Sequence, residues 1–89
     1  MAYEVSFAPN AVRQFESLPR HAQVRLATKI EDLENDPRPS GAKKLAGEGE
    51  LWRIRVGDYR VIYAIIDDQL VVLVVAVGDR KEVYRRGLP

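Results

Sequence analysis

Hydrophobic and polar positions along this chain follow two periods, separated by turn residues. Tyr3, Val5 and Phe7 alternate with Glu4 and Ser6, the period of a short strand. From Pro9 or Asn10 the period becomes helical, since proline is tolerated in a first turn and asparagine caps one well. Ala11, Phe15 and Leu18 then fall on one stripe, with Val12 beside it, until Pro19 interrupts. A second helix is expected from about Arg20 to Asn35. There Ala22, Leu26, Ile30 and Leu33 recur on one face, flanked by Val24 and Ala27. Pro37 keeps Asp36 out of the α region and ends it. Helices joined by only one or two residues are expected to fold back as an antiparallel hairpin.

The loop Asp36 to Gly41 and a short turn at Ala42 to Gly47 lead into the most patterned stretch, Leu51 to Tyr63. Trp52, Ile54 and Val56 alternate with Arg53 and Arg55. Gly57-Asp58 is a two-residue turn of type I′ or II′, and Tyr59 to Tyr63 form the returning arm. That turn sets a register. Val56 faces Tyr59, Arg55 faces Arg60, Ile54 faces Val61, Arg53 faces Ile62 and Trp52 faces Tyr63. Arg53, Arg55 and Arg60 therefore share one face, and the aromatic and aliphatic residues share the other. The second arm runs on through Ile66, and Asp67 to Gln69 turn the chain. Leu70 to Val77 (LVVLVVAV) is an apolar run suited to a central strand buried on both faces. Gly78-Asp79-Arg80 ends that strand. The order of elements is that of an α+β fold. An N-terminal strand and a two-helix hairpin pack on a small, mainly antiparallel four-stranded sheet, leaving the arginine face at least partly exposed.

Length and composition narrow the chemistry. Eighty-nine residues suit a single domain, 1–89, with a modest core. With no cysteine and the single histidine His21, expected at the surface of the second helix, neither a disulfide framework nor a Cys/His metal centre is available, and no cofactor is expected. The N-terminus lacks the pattern of a secretory signal and the longest apolar run is too short for a membrane span, so a cytoplasmic protein without a membrane partner is expected. The formal net charge of +1 is weak for a nucleic-acid binder, but the distribution is not even. Basic charge collects in the hairpin and in the tail, where Arg80, Lys81, Arg85 and Arg86 face only Glu82.

Like charges directly opposed across a strand pair destabilise it, so Arg55 against Arg60 breaks a local rule. The plain reading is a solvated strand face with long cationic side chains. The functional one is a phosphate receptor, since each guanidinium offers a planar fork of donors. A residue just past Val77 is expected to arrive near the Arg60 end of the hairpin, which brings in Arg80 and, four residues on, Tyr84.

The segment LWRIRVGDYRVIYAIIDDQLVVLVVAVGDRKEVY, above all RIRVGDYRVIY and VGDRKEVY, resembles the RelE/ParE superfamily of toxins from type II toxin–antitoxin systems, and most of all its RelE branch. The likeness spans nearly the whole chain. It implies a toxin neutralised by a cognate antitoxin that wraps its surface as a hetero-oligomer. In the RelE branch it also implies a metal-independent mRNA endoribonuclease acting in the ribosomal A site, with ribosome and mRNA as partners. The family's functional positions map onto Arg53, Arg55, Arg60, Arg80 and Tyr84. Arg60, Arg80 and Tyr84 are then the catalytic set, and Arg53 and Arg55, with Lys43 and Lys44, bind phosphate. The RelE pattern carries lysines where this chain has Arg53 and Arg55. Arginine does not give up its proton, so these two bind and stabilise rather than act as a base. For the proton acceptor Lys43, Lys44, Glu48, Glu50 and Asp79 stay open. Two other readings stand beside this one: a gyrase-directed toxin like the ParE members, and an RNA- or protein-binding module without catalysis.

Overall fold

A computed structural model describes residues 2–45, 47, 50–79 and 81. Its elements are β1 (Glu4–Phe7), α1 (Pro9–Glu16), α2 (Arg20–Asp32), β2 (Lys43–Lys44), β3 (Leu51–Val56), β4 (Tyr59–Ile66) and β5 (Val71–Asp79). Among the described residues the sheet has five strands, in the order β1-β5-β4-β3-β2. β1 runs parallel to β5, and every other pairing is antiparallel. The expected count of four strands is corrected by β2. Lys43-Lys44, expected as part of a turn, pairs antiparallel with Arg53 and Trp52 at the hairpin's outer edge.

Each helix is set by a proline. Pro9 is the first residue of α1, after an extended Ala8, so Asn10 lies inside the helix rather than capping it. Pro19 holds the extended conformation that precedes α2. Ser17, Leu18 and Pro19 join the helices, one residue more than expected. Gln23 reinforces this corner: its Nε2 donates to the Leu18 carbonyl at 2.8 Å and to that of Glu16 at 3.2 Å, satisfying groups that α1 leaves open. α2 buries Ala22, Leu26 and Ile30, and Leu33 just beyond it is buried too, as the periodicity predicts. Its regular part stops at Asp32. Three-residue turns at Leu33 and Glu34 then tighten the chain, which is why the helix ends before the expected Asn35.

The helices cover one face of the sheet, α1 against β5 and α2 against β3. The core between them holds Leu26, Ile30, Ile54, Val56, Val61, Tyr63, Val72, Val74 and Val77. Phe7 and Phe15 meet edge to face at 5.8 Å beside it. The hairpin register is the expected one, pair for pair from Trp52–Tyr63 to Val56–Tyr59. Gly57 has φ +62°, and Asp58 is not among the positive-φ residues, which selects type II′ of the two turns considered.

β5 departs from the expected pattern in two ways. Its first apolar residue, Leu70, adopts the left-handed conformation (φ 55°, ψ 47°) at the end of a 3-10 turn at Asp67–Gln69, so the strand starts at Val71. A bulge also sets Ile62 opposite Ala76 but Tyr63 opposite Val74, leaving Val75 as the extra residue. Burial along the strand reflects this. Val72, Val74, Ala76, Val77 and Gly78 are buried, while Val71, Leu73 and Val75 on the uncovered side are half-buried.

Candidate nucleic-acid interface

The uncovered face of the sheet is ordered in rows. Cross-strand partners share a face, so Lys43, Arg53, Ile62 and Ala76 form one row from β2 to β5. Arg55, Arg60 and Gly78 form the next, toward the turn. Ile62 and Ala76 are buried and packed with Leu45, Leu51 and Val75, so the cations sit beside an apolar floor.

The opposed pair Arg55 and Arg60 is resolved by divergence. Arg55 is exposed, whereas Arg60 is only 7% exposed, the buried charged side chain among the described residues. The expectation of a partly exposed Arg60 is thereby corrected. Its Nη1 donates to the carbonyls of Tyr59 at 3.0 Å and Gly57 at 3.3 Å, folding the side chain back over the turn. Gly78, its neighbour on β5, brings no side chain into that space. Both bonds come from Nη1 and end on neutral oxygens. The rest of the fork is not used by them, and no carboxylate neutralises the charge in either bond. A guanidinium so placed has N–H donors to offer an anion.

The other candidates divide between the faces. Lys43 stands opposite Arg53 and joins the arginine face. Lys44 stands opposite Trp52, on the other face, and is paired with Glu50 at 3.3 Å, so neither shares the arginine face. Asp79 is opposite Tyr59, on the helix-covered side. Gly78 and Asp79 do arrive beside Arg60 and Tyr59, as expected for residues just past Val77. Arg80, Tyr84 and Glu48 lie outside the described residues. His21 is exposed on α2.

One feature was not legible in the sequence. Where β2 ends, a groove of about 460 Å³ opens between the outer edge of β3, α2 and the loop around Ser40, lined by Lys29 and Asp32 as well as Lys43, Arg53 and Arg55. On α2 both Lys29 and Asp32 read as ordinary solvated positions. Only the packing of α2 on β3 brings them to the arginines.

Charge is handled differently at the far end of the sheet. Arg38 forms a two-pronged pair with Asp67, at 2.9 and 3.5 Å, and the Tyr3 hydroxyl donates to the same carboxylate at 2.6 Å. Arg38 also lies 5.4 Å from the centre of the Trp52 ring. The Arg38 hydrogen bond lowers the Asp67 pKa, and the bond to Asp67 raises that of Tyr3. Tyr63, fully buried, donates to the Pro37 carbonyl at 2.7 Å, and burial pushes its hydroxyl up to about 12.

Comparison with known proteins assigns this architecture. The family model described as ParE toxin of type II toxin-antitoxin system, parDE, matches residues 5–84. The chain belongs to the RelE/ParE toxin superfamily, in its RelE-like branch. The mRNA interferase toxin RelE of Escherichia coli K12 is 33% identical over 88 residues, covering 94% of this toxin and 92% of that one. Toxin RelG of Mycobacterium tuberculosis is 33% identical over 93 residues, covering 97% of this toxin and all of that one. Among solved structures, the archaeal RelE in the RelE–RelB complex from Pyrococcus horikoshii OT3 superposes with a TM-score of 0.78 at 33% identity, covering 90% of this toxin and 97% of that chain. The toxin shares with these relatives the α+β architecture expected from its sequence. Among its described residues no helix is long and apolar enough to cross a membrane.

Proposed function

We propose that this toxin is an mRNA endoribonuclease that cuts translated messages at the ribosome. The observation that carries the reading is Arg60: a buried guanidinium, bonded among the described residues to backbone carbonyls, on a face that also presents Arg53, Arg55 and Lys43. In the reaction the 2′-oxygen attacks the adjacent phosphorus and the bond to the 5′-oxygen breaks. The 2′-OH proton passes to an acceptor and the departing oxygen takes one up, leaving a 2′,3′-cyclic phosphate and a 5′-hydroxyl. Negative charge builds on the phosphoryl oxygens in the transition state. Fixed guanidiniums in a site of reduced dielectric stabilise that charge more than the ground state. Arg60 and Arg80 take this role, Arg53 and Arg55 hold the flanking backbone, and Tyr84 stacks on a base or orients the 2′-OH. Holding the substrate in line on the ribosome lowers the demand on the proton acceptor. Of the described candidates for that acceptor, Lys43 is the one on the arginine face. A cognate antitoxin holds the toxin in check as a hetero-oligomer, a reading supported by the RelE–RelB complex among its structural relatives.

The ParE family match also favours a second reading, a gyrase-directed toxin without nuclease activity. Mapping mRNA 5′ ends by primer extension after induction separates the two. The nuclease reading expects new ends within translated frames for the wild type, lost in the Arg60→Ala/Arg80→Ala double variant. Growth arrest with intact messages and gyrase-dependent DNA damage would replace it with the second.

A further inference from the structure

We propose that the groove between α2 and the outer edge of β3 extends the RNA-binding face, taking the single-stranded backbone beyond the scissile phosphate with Lys29 and Asp32 beside Lys43. For its direction along the message it rests on the nuclease reading above. RNA binding in the groove does not depend on it.

Three observations converge. The first is charge. Among the described residues the salt bridges Arg38–Asp67 and Lys44–Glu50 include none of Lys29, Lys43 and Arg55, and all three line the groove. The second is continuity. Arg25, one helical turn before Lys29, lies over the hairpin turn, where a Cβ added to Gly57 would stand 3.2 Å from its Nη1. Arg25 and Lys29 thus stand one turn apart on α2, about 6 Å along its axis, one at the hairpin turn and the other at the groove. A strand leaving the arginine face meets a positive charge at each step.

The third is the chain edge. In this hairpin Leu51, Arg53 and Arg55 direct their main-chain groups away from β4, as the Leu45 N–H to Leu51 carbonyl bond of 2.9 Å shows. β2 pairs only with Trp52 and Arg53, and Gly41, at φ 106°, turns the chain aside before it reaches Arg55. The Arg55 N–H therefore adds a backbone donor to the cationic side chains, as in other phosphate-binding concavities.

Asp32 decides between ligand classes. An ionised carboxylate only accepts hydrogen bonds. An acidic protein segment offers only acceptors and so leaves Asp32 without a donor, although the cations attract it. RNA offers phosphates to the cations and, from its 2′-hydroxyls and base amino groups, donors to Asp32.

The test uses the full chain and a labelled ten-nucleotide RNA, with anisotropy measured across a salt series. Gels of the same samples, with and without ribosomes, report cleavage. Lys29→Glu is expected to weaken binding about tenfold and to flatten the salt slope by about one, with Lys29→Arg restoring both. Asp32→Ala is expected to narrow the preference for RNA over DNA of the same sequence and to let polyaspartate compete. Unchanged affinity and slope in Lys29→Glu would overturn the groove site. So would polyaspartate displacing RNA from the wild type at low concentration, which would assign the groove to an acidic protein. If Lys29→Glu weakens binding but the wild type cuts no message on ribosomes, the nuclease reading falls and the groove stands.

Discussion

Arg38 and Arg60 stand at opposite ends of one small sheet and are treated in opposite ways. Arg38 is exposed, yet it has a carboxylate within 2.9 Å and an indole ring beside it. Arg60 is buried, yet among the described residues it bonds to two neutral carbonyl oxygens. If stability alone shaped the molecule, the buried cation would be the one with the counter-charge, because an uncompensated buried charge is the costly one. The difference teaches where the fold is fastened and where it is held ready. At the Arg38 end, Tyr3, Asp67 and Tyr63 tie β1, the 3-10 turn and the Asp36–Gly41 loop together. At the Arg60 end, on the nuclease reading proposed above, a charge is kept open for an anion.

The largest expected effect breaks the contrast at Arg60. Arg60→Met keeps the stem and removes the charge. Message cleavage should fall by about a hundred- to a thousandfold, the scale for losing one transition-state donor. The melting temperature should stay within a few degrees or rise, because an apolar replacement for a buried charge is often neutral or stabilising. A collapse in melting temperature at unchanged activity in the surviving fraction would make Arg60 a structural residue like Arg38.

Tyr63→Phe sharpens the contrast from the fastened end. Its pKa is raised to about 12 from about 10, so the folded state holds the proton more tightly. The stabilisation is complete below pH 10 and is lost as pH rises toward 12, amounting to about 2–3 kcal/mol. At pH 8 the variant should be weaker by about 1 kcal/mol, for the lost bond to Pro37. Urea unfolding at pH 8 and at pH 11.5 should show the wild-type lead shrinking or reversing. A constant gap would mean that the Tyr63 hydroxyl does not feel its burial.

The smallest effect concerns Asp67→Asn. Asp67 has a lowered pKa in the folded state, so its pairing stabilises above the unfolded value near 3.9 and is lost as pH falls through the folded one. The variant should be slightly less stable than the wild type at pH 7 and equal to it in strong acid, and salt should narrow the neutral gap, as expected of an exposed pair. An equal gap at both pH values in thermal melts would count against the ionic account of this end.

Much of this contrast is legible in the sequence. The alternation in LWRIRV and YRVIY, with a glycine that tolerates positive φ between them, is enough to pair Arg55 with Arg60 and to put the arginines on the face away from the core. Turn chemistry and side-chain alternation act within a few residues, so they leave a local record. The face that Lys43 and Lys44 take was not readable. It depends on which register a two-residue strand adopts at a sheet edge, and one step would exchange them. Lys29 and Asp32 carry no signal on α2, because nothing within a helical turn reports what the helix packs against.

By itself, the sequence determined the α+β class, the stripe Ala22–Leu26–Ile30–Leu33, the hairpin and its register, and the exclusion of a disulfide framework and of a Cys/His metal centre. The tertiary structure alone decided that β1 runs parallel to β5, that Val75 bulges so that Val74 and Val77 both face the helices, that Arg60 is buried, and that α2 closes a cationic groove with β3. The physical reason is range. Periodicity and turns are settled by sterics and hydrogen bonds between near neighbours, whereas burial and convergence are settled by contacts between residues distant in the chain, and those exist only once the helices lie on the sheet.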